Sequence, residues 1–298
     1  MATKKVTPAK IAPAALQEEP AAVDNVVHIP EIAIFVDVES LNVVASAALP
    51  SIGCVVVDLN DKTDSVITSV TDTIADYLTE CGSAGDSSST VAAPSVWYRT
   101  LDVTSQLIQY NRTMSKSTQR WWHVAHRNAV GSVLAQPAAN VADTLNYMIN
   151  YLRNTVERHV SGLSIADRKK AMDGIRVYAR GTHFDVGAIE TLVYEVLGLL
   201  PATESTLAFQ DALWFYRSAR DARSYVDGLQ DAYRNVMSDD GFASTASVIS
   251  DNTKQAQKYL NSLLAERTQD PSYLSGAAHH PVYDVFYDFL QVLYWKHV

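Results

Sequence analysis

The sequence predicts a mainly α protein, with a helical body over about 96–298 preceded by a small N-terminal lobe containing two or three short strands. Three observations predict it. Apolar residues recur at helical spacing in segment after segment beyond Val96. The β-branched runs are concentrated between residues 32 and 59. At 298 residues, 47% of them hydrophobic, the chain can bury the core of one or two domains.

The first 23 residues are rich in Ala, Pro, Lys and Glu and read as a mobile tail. IAIFVDV (32–38) and IGCVVVDL (52–59) follow as strands. They are separated by a connection containing Pro50. Val66, Val70, Ile74 and Leu78 then fall four apart and predict a helix, which closes a small acidic α+β lobe over 24–81. GSAGDSSSTVAAP begins a linker or loop over 82–95, and the helical domain occupies 96–298. Within it, Val141, Leu145, Met148, Ile149, Leu152, Val156 and Val160 trace one face of a long helix. Ser164 and Asp167 form a capping pair for the next, which the pattern carries to Gly181. Thr182 or Asp185 caps a helix ending at Pro201, residues 204–238 give one or two more with Gly228 as a break, and 244–268 another. Pro281 opens the last helix.

Composition excludes several classes. Two cysteines, Cys54 and Cys81, cannot build a disulfide scaffold or an all-Cys zinc site. No apolar run is long enough to span a bilayer and no signal-peptide core is present, so no membrane partner is expected and the reading is of an intracellular, soluble protein. Charge is unevenly divided. Residues 1–98 carry 4 Lys, no Arg and 13 acidic residues, whereas 99–180 carry 12 basic and 5 acidic, and 181–298 carry 8 and 15. An acidic chain therefore has a basic middle.

That middle yields a candidate RNA contact. Lys116, Arg120, His123 and Arg127 step by four, three and four, forming one helical stripe beside Trp121 and Trp122. His123 and His126 have a metal-compatible spacing but no third ligand nearby; His159 or His183 would have to supply it through the fold. No metal site, cofactor or catalytic residue is assigned. There is no G-x-S-x-G elbow and no phosphate-binding loop, His279 and His280 read as loop residues before Pro281, and Gly181 and Asp185 read as helix punctuation. Arg217, Arg220 and Arg223 read as surface pairs with nearby aspartates. The final helix is apolar most of the way round, so it is either central to the subunit or shared with a neighbour. Tyr283, Tyr287, Tyr294 and Trp295 are its candidate interface residues.

Two resemblances bear on function. VWYRTLDV, RWWHVAHRNAVGSVLAQP and YARGTHFDVGAIETLVYEVL resemble the helical coat proteins of small RNA viruses, the partitiviruses in particular. The resemblance implies a structural, non-enzymatic capsid subunit that self-associates through dimers into a shell around weakly and non-specifically bound RNA. Its location would be the virion or the host cytoplasm. IAIFVDVESLN (32–42) instead resembles the opening of the NYN family of metal-dependent ribonucleases, which implies that Asp37, with Glu39 and Asn42 close behind, helps hold Mg²⁺; Ser40 stands where that family has Asn. A ribonuclease of that type is the alternative reading, and a cellular helical interaction module is the third.

Overall fold

The computed structural model describes residues 28–61, 63–79, 95–125, 139–209, 212–269 and 280–298. The tail over 1–23, the linker up to Ser95, His126, Arg127 and His279 lie outside them.

The backbone of the fold is a five-stranded sheet of order β3-β2-β1-β4-β5. β1 (Ile32–Glu39), β2 (Ser51–Asp58) and β3 (Ser95–Thr100) form an antiparallel meander. β4 (Arg176–Ala179) runs parallel to β1, and β5 (Ala219–Asp221) parallel to β4. Between and after them come helices α1 (Thr63–Thr79), α2 (Val103–Gln109), α3 (Lys116–Ala125), α4 (Val141–Val160), α5 (Ile165–Gly174), α6 (Asp185–Leu197), α7 (Ala222–Arg234), α8 (Asp239–Thr268) and α9 (Pro281–Lys296).

The period-two alternation of β1 divides the core. Ile32, Ile34, Val36 and Val38 point to one face, where they are buried with α4, α5 and α6. Ala33 and Phe35 point to the other, which α1, α7, α8 and α9 cover. Helices on both faces of a mixed sheet make an α/β architecture, and this corrects the mainly α expectation. The misreading has a physical source. β4 and β5 are only four and three residues long, too short to show a period, and both lie between helices. The helix that the pattern carries from Ser164 to Gly181 stops instead at Gly174, and Val177, Tyr178 and Ala179 enter the sheet as a fully buried parallel strand.

Other elements follow their sequence signals closely. All seven residues of the predicted α4 face are buried. Ser164 accepts from the Asp167 N–H and donates its hydroxyl to that carboxylate at 2.7 Å. The apolar circumference of α9 is explained by its position on the sheet. Phe289 meets Phe35 edge to face at 5.8 Å, and Val282, Val285, Phe286, Leu290 and Leu293 are buried around it.

Candidate metal centre and adjoining cleft

Because Asp37 and Glu39 continue the odd-numbered row of β1, they stand on the α9 face at the strand's C-terminal end. Helix α9 starts directly above them. His280 caps it, its Nδ1 accepting the Val282 N–H at 3.3 Å, and its ring lies tilted against Tyr98 with centroids 4.5 Å apart. Gly53, the β2 partner of Asp37, makes the close approach possible: a Cβ there would lie 2.7 Å from Pro281 Cβ and 3.0 Å from the Val282 nitrogen. The first turn of α9 is thereby set down on the sheet, and the carboxylate oxygens of Asp37, Glu39 and Asp284 all lie within 4.8 Å of one another.

A fourth acid enters from the parallel half of the sheet. After β4 the chain turns at Gly181, whose N–H donates to Asp185 Oδ2 at 3.1 Å and fixes this first residue of α6. Asp288, one turn beyond Asp284, is buried and accepts from Arg180 Nε and Nη2 at 3.0 and 2.6 Å. Arg180 also lies over the Tyr287 ring, 4.6 Å from its centroid.

The electrostatics follow from crowding carboxylates in a desolvated place. Burial raises Asp37 well above the carboxylate range, and the charges of Asp185, Glu39, Asp284 and Asp288 raise it further. Burial, then Asp284 and Asp185, push Glu39 up to about 9. Asp185 is pushed up to about 7 by burial, against the lowering effect of the Gly181 hydrogen bond. Asp288 is raised by burial and held back by Arg180. Hard oxygen donors that repel one another and converge on one point fit a divalent cation of the Mg²⁺ or Mn²⁺ kind, with Asp37, Glu39 and Asp284 as the holding set and Asp185 beside them.

The same geometry makes Gly53 a sensitive position. Gly53→Ala is expected to push the start of α9 outward and weaken Mn²⁺ binding at least about tenfold in calorimetric titration, as one added methyl in a packed contact forces a backbone shift. The circular dichroism spectrum should stay close to that of the parent.

A cleft of about 850 Å³ adjoins the acids. Glu39 walls one end, and Val43, Val44, Trp121, Trp122, His183 and Phe184 form most of the rest. Its β1 side is held rigidly. Buried Gln106 exchanges two hydrogen bonds with the Leu49 backbone at 2.8 and 2.9 Å, buried Arg112 donates to the Ala47 carbonyl at 2.9 Å and pairs with Glu195, and Trp122 Nε1 donates to the Ser40 carbonyl at 3.0 Å. Trp122 is an anchor, whereas Trp121 leaves 43% of its surface open.

The sequence-predicted residues distribute as follows. Lys116, Arg120 and His123 are exposed on α3, and none of them lines the cleft that Trp121 faces. His159 is buried in α4 and does not line the cleft, where His183 stands. Of the candidate interface residues, Tyr283 and Trp295 are buried within the chain, and Tyr287 and Tyr294 are half-buried. The sequence pattern marks Asp185 only as helix punctuation and gives Asp284 no role. The available signals were an Asp four residues past a Gly at a strand end, and an Asp in the first turn of an otherwise apolar helix.

Residues 32–264 match the family model of the 3'-5' exoribonuclease Rv2179c-like domain. No curated protein and no solved structure matches the chain. The family match overturns the resemblance to viral coat proteins, together with the capsid function and the non-enzymatic role it implied, because what it identifies is an enzyme domain. Of the alternative reading, the ribonuclease stands, although the matched family is not the NYN family. No helix among the described residues is long and apolar enough to cross a membrane.

Proposed function

As the chain belongs to the 3'-5' exoribonuclease Rv2179c-like domain family, we propose that it hydrolyses single-stranded RNA from its 3' end with a divalent cation at Asp37, Glu39, Asp185 and Asp284. The observation that carries this reading is the convergence of three carboxylates, from β1 and α9, within 4.8 Å. A cation held there supplies positive charge to the phosphate oxygens and the leaving oxygen. The bond chemistry is simple. A water oxygen bonds to phosphorus, the P–O3' bond breaks, and the proton passes to the departing 3' oxygen, so a nucleoside 5'-monophosphate leaves and a new 3'-hydroxyl remains.

The chain's own groups hold that arrangement. The Gly181 N–H orients Asp185, and Arg180 neutralises Asp288, so that the fifth acid adds little net charge to a site that must admit a polyanion. The cleft beyond Glu39 suits the terminal nucleoside. Its volume is in the range of small-ligand sites, and Trp121 and Phe184 offer π-faces to a base of any identity.

Product analysis tests the reading. With Mn²⁺, 5'-labelled single-stranded RNA should shorten as a one-nucleotide ladder and release nucleoside 5'-monophosphates; internal fragments from the earliest times, or no cleavage, would count against it. Trp121→Ala should raise KM about 5- to 150-fold with kcat changed little, since stacking contributes about 1–3 kcal/mol per base. A KM unchanged within twofold removes Trp121 from the subsite.

A further inference from the structure

A second groove adjoins the carboxylates at Asp288. It holds about 360 Å³ between α7 and α9, and Arg180, Arg223, Gln230, Tyr287, Asp288 and Gln291 line most of it. Glu39 walls the cleft, and Asp288, which walls this groove, lies one turn along α9 from Asp284, so the two depressions adjoin the acidic centre through different acids. Their cations are in different states. Arg180 is committed to Asp288 and to the Tyr287 ring. Arg223 is exposed, and among the described residues no carboxylate lies within ion-pairing distance of it. Asp227, the groove's other acid, sits one turn further along α7 and does not pair with it. Even so, Arg223 shares its groove with Asp288, one turn of α9 beyond the cation-holding Asp284.

A guanidinium kept free at the rim of an acidic site, in a polar groove sized for a sugar–phosphate unit, has the chemistry of a phosphate contact. We propose that Arg223 binds a backbone phosphate upstream of the scissile bond, and that the α7–α9 groove is the path by which the RNA strand leaves the centre while its 3' nucleoside occupies the Trp121 cleft. This rests on the exoribonuclease reading. It also replaces the view of Arg223 as a member of a surface ion pair: Asp221, although it feels the Arg223 charge, caps α7 through the Ser224 N–H at 2.8 Å, and among the described residues Arg223 makes no ion pair with Asp221 or Asp227.

Substrate length separates this role from a general one. A ribodinucleotide monophosphate contains only the scissile phosphate, whereas a ten-nucleotide single strand carries the upstream ones. Arg223→Ala should lower kcat/KM on the ten-mer about tenfold and leave the dinucleotide within twofold. It should also reduce the slope of log(kcat/KM) against log[salt] on the ten-mer by about 0.7, one phosphate contact on a single strand. Arg223→Lys should recover most of the loss, since a point charge serves a single phosphate. Equal losses on both substrates, an unchanged salt slope, or no loss on the ten-mer would overturn the proposal while leaving the ribonuclease reading intact. Parent protein inert on both substrates would overturn the two together.

Discussion

Asp37→Asn is expected to abolish RNA hydrolysis while stabilising the cation-free protein. Asn keeps the shape of the side chain and removes the charge that the holding set needs. The loss in kcat/KM should reach about a thousandfold, the upper range for deleting one electrostatic stabiliser of a transition state and equivalent to about 4 kcal/mol. Stability should move the other way. Asp37 is disfavoured as an anion by burial and by Asp185, Glu39, Asp284 and Asp288, so folding at neutral pH has to protonate it or bear its charge, a cost that the neutral amide avoids. Steady-state hydrolysis and thermal melting in chelator, on one preparation, check both signs. More than a tenth of parental activity, or a lower melting temperature at pH 8, would contradict the assignment.

The second large effect is a pH dependence that a cation reverses. Glu39 and Asp185 have folded-state pKa values raised to about 9 and about 7 from ordinary carboxylate values. Between the unfolded and folded pKa the native state holds more protons than the unfolded one, so stability falls as pH rises. The fall begins near pH 4 and ends near pH 7 for Asp185 and near pH 9 for Glu39. Each pH unit across which one such group stays protonated only in the folded state removes at most about 1.4 kcal/mol, and each kcal/mol shifts the midpoint by roughly 2–4 °C in a chain of this size. In chelator the melting temperature should therefore drop by several degrees from pH 5 to pH 8. Mn²⁺, which binds the ionised acids, should raise it more at pH 8 than at pH 5. A flat profile in chelator, or equal stabilisation at both pH values, would show that these carboxyls are not held protonated by their surroundings.

Half of the centre is legible in the sequence. IAIFVDVE reads as a strand ending in two acids, and period-two alternation then puts Asp37 and Glu39 on one face without further information. The other half depends on tertiary contacts. Asp185 looks like helix punctuation after Gly181, and it does receive the Gly181 N–H. What gives it chemistry is β4 lying parallel to β1, and β4 is four residues of apolar chain between helices. Asp284 looks like a polar interruption in an otherwise apolar helix. Its place above Asp37 depends on Gly53 admitting Pro281, a contact across more than two hundred residues that no local pattern encodes. The tryptophan pair was equally ambiguous in sequence: Trp122 became an anchor and Trp121 a cleft wall, although both occupy one helix turn. The long α4 face, by contrast, needed only its own periodicity.

The central claim is that one centre is built from the end of β1, the start of α6 and the start of α9, the last lying beyond the matched residues 32–264. Calorimetric Mn²⁺ titration of the parent and of Asp284→Asn, with hydrolysis of single-stranded RNA measured on the same samples, tests it most directly. The account predicts that the parent binds Mn²⁺ and degrades RNA, and that Asp284→Asn loses at least tenfold in affinity and nearly all activity while keeping the parental circular dichroism spectrum. Parental Mn²⁺ affinity together with parental hydrolysis in Asp284→Asn would contradict it.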